Sequence, residues 1–211
     1  QMSAPEGHTF WGACGVIRRA AFEQLGGFDR RYSKASIEDI ELGYRLKAAG
    51  RKIRMCPDLQ VTHHKPWRPL SLLKTDLFLR AIPWSRLILK KGEMANALNI
   101  SRVARLRVLL TGLISLCLLA AIFYPSILWV VAILALFLLA ADWKVLYWFY
   151  QKRGLCFTLA ILPWHWFSHF YSGVGFALAM LIHSWEAFCA PRIDRSGSPI
   201  PESDLKGSTT S

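Results

Sequence analysis

The sequence predicts a chain in two parts: a soluble α/β region at the N-terminus, followed by an α-helical transmembrane region. Three observations predict it. Hydrophobic residues make up 53% of the 211 positions and charged residues only 19%, an apolar excess that rules out a disordered chain and calls for a membrane. The formal net charge of +12 is uneven. Residues 1–107 carry 20 Lys and Arg against 9 Asp and Glu, whereas residues 108–211 carry 6 against 5. Finally, long runs without charge occur only in the second half. A basic domain joined to an apolar one fits attachment to an anionic lipid surface and argues against a nucleic-acid partner. The five cysteines form no C-x-x-C pair, so neither a disulfide framework nor a zinc finger is expected, and a reducing cytosolic face suits them. The chain opens on Gln1 with no basic segment leading into an apolar one, so no signal peptide is expected.

Residues 1–65 form the predicted soluble domain. Thr9–Val16 mixes β-formers with small residues and reads as a strand, and a helix from about Arg19 to Leu25 is ended by Gly26 and Gly27. A second helix starts at Ser36, a good N-cap, with Ile37, Ile40 and Tyr44 on one face and Gly50 as its stop. Glu41 and Arg45 are spaced for an ion pair on that helix. Lys52–Met55 and Leu59–Thr62 read as strands, followed by His63 and His64.

Residues 66–107 are juxtamembrane. Within them, Pro66–Ile100 interleaves Arg68, Lys74, Arg80, Arg86, Lys90 and Lys91 with Leu72, Leu77, Phe78 and Trp84. Such a segment can lie among lipid headgroups or pack on the domain as a solvated linker helix.

Residues 108–186 are the predicted membrane region. Val108–Tyr124 and Ser126–Ala141, split by Pro125, read as a transmembrane hairpin. The run Leu155–Trp185 contains Pro163, His165, His169 and His183, so it is either one kinked helix or an interfacial segment followed by a span. Arg102, Arg105 and Arg107 precede the first span and Lys144, Lys152 and Arg153 follow the second, which places the basic domain in the cytosol and the chain in the inner or plasma membrane. Residues 187–211 turn rich in Ser, Gly and Pro and are expected to be disordered.

Glu38 and Asp39 open the second helix. Asp39 stands three residues after Ser36, the spacing of a capping box, and acidic charge at a helix N-terminus is favourable by about 0.3–1 kcal/mol. A carboxylate in that place can equally act as a general base. The surrounding string bears on the choice. Phe10-Trp11-Gly12-Ala13-Cys14-Gly15, then Gly26-Gly27-Phe28-Asp29, then Ile37-Glu38-Asp39-Ile40-Glu41-Leu42 with Arg45-Leu46, resembles the second half of the catalytic domain of family 2 glycosyltransferases, which are inverting enzymes of the GT-A fold. The resemblance covers roughly residues 8–65.

It implies Asp39 as catalytic base with Glu38 beside it, Gly26, Gly27 and Phe28 around the acceptor, and His63 either as a metal ligand, as in some members, or as a hydrogen-bonding partner of the backbone. It further implies Mg²⁺ or Mn²⁺, a nucleotide-sugar donor and a lipid-linked or glycan acceptor. The family's Asp-x-Asp motif occurs nowhere in the sequence, so the chain is expected to be the C-terminal portion of a longer enzyme, without its donor-binding half and inactive alone. Processive members such as cellulose synthase carry Gln-x-x-Arg-Trp, where this chain has Arg80-Ala81-Ile82-Pro83-Trp84, which favours single addition. The alternative is a non-catalytic membrane protein binding a partner or anionic lipid.

His165 and His169 share one helical face, a spacing that suits metal ligands as well as hydrogen bonding between helices. Six histidines in all are too few for the histidine boxes of membrane di-iron enzymes, so hydrogen bonding is expected there.

Overall fold

The computed structural model describes residues 6–7, 9–32, 34, 36–59, 61–62, 64, 66–92 and 100–189. Six α-helices are present among them: α1 (Arg19–Gln24), α2 (Glu38–Ala48), α3 (Pro69–Lys74), α4 (Ile82–Lys91), α5 (Arg102–Ala121) and α6 (Leu128–Cys189). A π-helical stretch, Thr75–Ala81, joins α3 to α4, and short 3-10 turns lie at Gly12–Cys14 and Pro125–Ile127.

The expected α/β domain of GT-A type is not what forms. No strand or sheet occurs among the described residues; the only β pairing is one isolated antiparallel bridge between Glu6 and Arg54, where the Gly7 amide donates to the Ile53 carbonyl at 2.7 Å. Thr9–Val16 is interrupted by the turn at Gly12–Cys14, and the Lys52–Met55 segment makes β pairing only at that bridge. β-propensity measures fit to a pleated surface, and without adjacent strands these segments stay extended but unpaired.

The small N-terminal core is Phe10, Leu42 and Leu46, flanked by Ile17, Phe22, Leu25 and Ile53. Helix α2 crosses the Thr9–Phe10 backbone at Gly43, where a Cβ would stand 2.5 Å from the Phe10 amide nitrogen. Only glycine permits that approach. Ser36 does not cap α2: its hydroxyl donates to the Leu79 carbonyl in the π-helical stretch, and its amide donates to Glu38 Oε2 at 2.6 Å. The N-cap position is Ile37, fully buried and without a side-chain cap. Sequence spacing cannot separate a cap from a hydroxyl tied to a residue 43 positions away.

Helix α4 and the π-helical stretch pack against both parts of the chain. Trp84 and Lys91 reach Tyr44 of α2. On the other side Ala81 meets Gly175, Tyr171 donates to Asp76 at 3.0 Å, and Arg86 pairs with Glu186.

Helices α5 and α6 are each long and apolar enough to cross a membrane. Ser101 caps α5 through the Ala104 amide, and the break between the two helices falls at Tyr124–Ile127, where the sequence places the hairpin turn. α6 is bent back at Gly154 (φ 80, ψ 178) into two arms. Asp142 and His165 lie 3.1 Å apart across this bend, whereas 23 residues of straight helix would separate them by about 35 Å. The run from Leu155 to Trp185 is thus one helical arm, with Pro163 inside it and the break nine residues earlier at a glycine. The expected disordered tail falls, apart from residues 187–189 at the end of α6, outside the described residues.

Candidate functional site

α2 sets up the site because it carries two tethers, Asp39 in its first turn and Arg45 further along. At its first turn, Asp39 Oδ2 accepts a hydrogen bond from the Gly12 amide at 2.9 Å and Oδ1 accepts from the Ile40 amide at 2.7 Å. Gly12 fits closely, since a Cβ there would lie 3.3 Å from the Asp39 Cβ. Asp39 is half-buried, and each carboxylate oxygen retains a second lone pair after these bonds. Glu38 turns the other way, to the Ser36 amide.

Two turns further on, Arg45 ties the glycine turn to the helix. Its Nε and Nη2 bind the buried Glu41 carboxylate at 2.7–2.9 Å, while Nη1 donates to the Leu25 carbonyl and Nη2 to the Gly27 carbonyl at 2.7 Å. The pair is legible in the sequence as an i,i+4 match; its grip on the Gly26–Gly27 turn is not. Both glycines have positive φ, 75° and 71°, so the turn needs glycine there. Phe28 follows half-exposed and stacks edge-on against Phe22 at 5.3 Å. Asp29 then closes the loop on Arg31, whose side-chain and backbone hydrogen bonds hold the Asp29 carboxyl below its usual range. Burial, with Glu41 nearby, pushes the Tyr32 phenol up.

A cleft of about 400 Å³ is lined by Phe10, Gly12, Gly15, Ile17, Arg19, Phe22 and Phe28. The structure therefore places Phe28 on the cleft wall, Gly26 and Gly27 at the turn leading to it, and Asp39 behind its rim through Gly12. Aromatic walls beside backbone amides suit a ring-shaped polar ligand with one apolar face.

His63 lies outside the described residues. Among the described residues, no group of three His, Cys, Asp or Glu side chains converges near Asp39. With no such convergence, the described residues do not make up a cradle for Mg²⁺ or Mn²⁺, and no step below runs through such an ion.

One polar group escaped the sequence reading. Asp142 lies one residue beyond the apolar run ending at Ala141; it is fully buried and meets Arg107, His165 and His169. The signal was a lone carboxylate inside an apolar helix.

The sequence model of the glycosyl transferase family group 2 matches residues 1–186. The chain is 39% identical over 72 residues to the O-antigen biosynthesis protein RfbC of Myxococcus xanthus, covering 30% of this chain and 6% of that protein. It is 48% identical over 54 residues to an N-acetylglucosaminyl-diphospho-decaprenol L-rhamnosyltransferase of Mycobacterium tuberculosis, covering 26% of this chain and 17% of the relative. The matched stretches are thus small parts of both relatives. No solved structure matches.

Proposed function

The chain belongs to the glycosyl transferase family group 2, and from that premise we propose that it serves the transfer of a sugar, with inversion, from a nucleotide-sugar donor to a lipid-linked or glycan acceptor at a membrane surface. The observation that supports the reading is the position of Asp39, a half-buried carboxylate fixed by two backbone amides, one of them from Gly12 on the wall of an aromatic-lined cleft.

In this reading the acceptor sugar rests against Phe28 and Phe22, with the Gly26–Gly27 backbone close to it. Asp39 takes the proton from the attacking hydroxyl. The hydroxyl oxygen bonds to the anomeric carbon as the bond from that carbon to the nucleotide's phosphate oxygen breaks, and the nucleoside diphosphate leaves with the electron pair. Attack opposite the leaving group inverts the centre. The two amide donors keep Asp39 aimed, so proton transfer needs no reorganisation. The rhamnosyltransferase relative, named for a decaprenol-linked acceptor, supports an acceptor of that kind here.

Helices α5 and α6 would hold the enzyme in the inner or plasma membrane, with Arg102, Arg105 and Lys152 on the cytosolic side among lipid headgroups. Such anchoring would deliver a lipid-borne acceptor by proximity.

The test is Asp39→Asn in the complete enzyme, assayed with its sugar nucleotide and lipid acceptor. Turnover is expected to fall about 10²–10⁴-fold, the usual contribution of a positioned base, with acceptor KM little changed. Retention of most turnover by a normally folded variant refutes the assignment.

A further inference from the structure

The buried polar cluster between α5 and the two arms of α6 goes beyond sugar transfer and stands independently of the role given to Asp39. From arm one comes Asp142, which has no exposed surface; from arm two come His165 and His169, one helical turn apart; from α5 comes Arg107. Ionisable groups in such helices are costly and mark functional sites. A plain Arg107–Asp142 pair would account for two of the four. Arg107 Nε lies 2.8 Å from Asp142 Oδ1, and Nη2 donates to the Ala141 carbonyl at 2.6 Å.

The two imidazoles need another explanation. Both point Nε2 at the same carboxylate oxygen, at 3.1 Å from His165 and 3.5 Å from His169. His165 makes a hydrogen bond there, but His169 Nε2 and Asp142 Oδ2 are buried without a hydrogen-bond partner. One nitrogen or oxygen atom from each of the three residues falls within 4.8 Å of the others. Ligands held about 2.0–2.2 Å from a tetrahedral ion stand about 3.3–3.6 Å apart, close to the two Nε2–Oδ1 spacings of 3.1 and 3.5 Å.

We propose that Asp142, His165 and His169 bind one divalent transition ion, Zn²⁺ by preference. Two imidazoles and a carboxylate select zinc over magnesium or calcium, and three protein ligands leave a fourth position for water or another oxygen donor. Arg107 then acts as the outer partner that orients the ligating carboxylate, and it offsets that carboxylate's charge. Arg107 is the sixth residue of α5, about 8 Å from the helix start, and the two histidines keep a little exposed surface, so an ion can enter from the aqueous side.

The test uses the full chain without a polyhistidine tag, extracted in detergent without chelator. Elemental analysis should find about one zinc per chain, and Co²⁺ replacement should give the intense visible absorption of a four-coordinate site. His165→Ala and His169→Ala should each weaken Co²⁺ binding by about 100-fold or more, since loss of even an outer partner costs about 10–100-fold. His169→Asn provides a polar replacement if the alanine variant unfolds. A folded wild-type chain with no zinc above background and no cobalt spectrum overturns the proposal. So does zinc retained equally by both histidine variants, which would place it elsewhere on the chain.

Discussion

In the N-terminal region the side chains without exposed surface, Ile37 and Leu42, are aliphatic, whereas in α5 and α6 Leu119 and Trp129 stand 62% and 79% exposed and a charged residue, Asp142, is sealed inside along with Leu138 and Ala179. The two regions are held together in different ways. Against water, a few aliphatic side chains close a small core and polar groups tether the loops around it. Among the long apolar helices, close packing at small residues and polar contacts make the joins. Gly175 against Ala81 and Gly173 against Val108 are the close approaches, and the Thr111 and Ser115 hydroxyls bond back to carbonyls of their own helix.

Substitutions at the two buried ion pairs should separate these regimes most sharply. Asp142→Leu leaves Arg107 uncompensated and should destabilise the helical part by about 3–5 kcal/mol, read as thermal unfolding in detergent. Adding Arg107→Met should recover part of that loss, because it removes the unpaired cation but leaves His165 and His169 without the carboxylate they face. The matching pair in α2 should not recover. Glu41→Leu with Arg45→Met strips the donors from the Leu25 and Gly27 carbonyls, so the double variant should stay about 2–3 kcal/mol below the parent. Full recovery in α2 would show that its ion pair is only packing.

A smaller effect probes the water-facing core directly. Gly43→Ala forces a Cβ into the Thr9–Phe10 backbone and should cost about 1–3 kcal/mol, read by chemical unfolding. Smallest is Asp29. Its lowered carboxyl stabilises the folded chain from the ordinary carboxylate range upward, and that contribution disappears as pH falls through the folded value. The pair with Arg31 is exposed on the arginine side, so Asp29→Asn should change stability by less than about 0.5 kcal/mol at neutral pH and leave the profile there flat.

What the sequence revealed follows range of interaction. Gly26, Gly27 and Gly50, all at positive φ, and the Glu41–Arg45 pair depend on neighbours within four residues, and all were legible. The turn at Pro125 was legible because it interrupts an otherwise uncharged stretch. The predicted strands failed because a strand is defined by its partner, and β-formers such as Thr9 and Ile53 signal only that they suit one. Ser36 failed because its hydroxyl serves Leu79. Of the candidate site, Asp39 and Phe28 were visible as residue types in order, but the Gly12 tether joins positions 27 apart and no periodicity encodes it. Asp142 was missed for the same reason, its partners lying 35, 23 and 27 positions away.

The bend at Gly154 leaves the two arms of α6 joined without slack. Adding a single residue between Asp142 and His165 would rotate one arm by about 100° against the other and shift it about 1.5 Å. Side chains now turned inward would then face outward, and the carboxylate would lose both imidazoles at once. The length of this connection is therefore under tighter constraint than most of the side chains along it, and a tolerable insertion would have to preserve the angular phase between the arms.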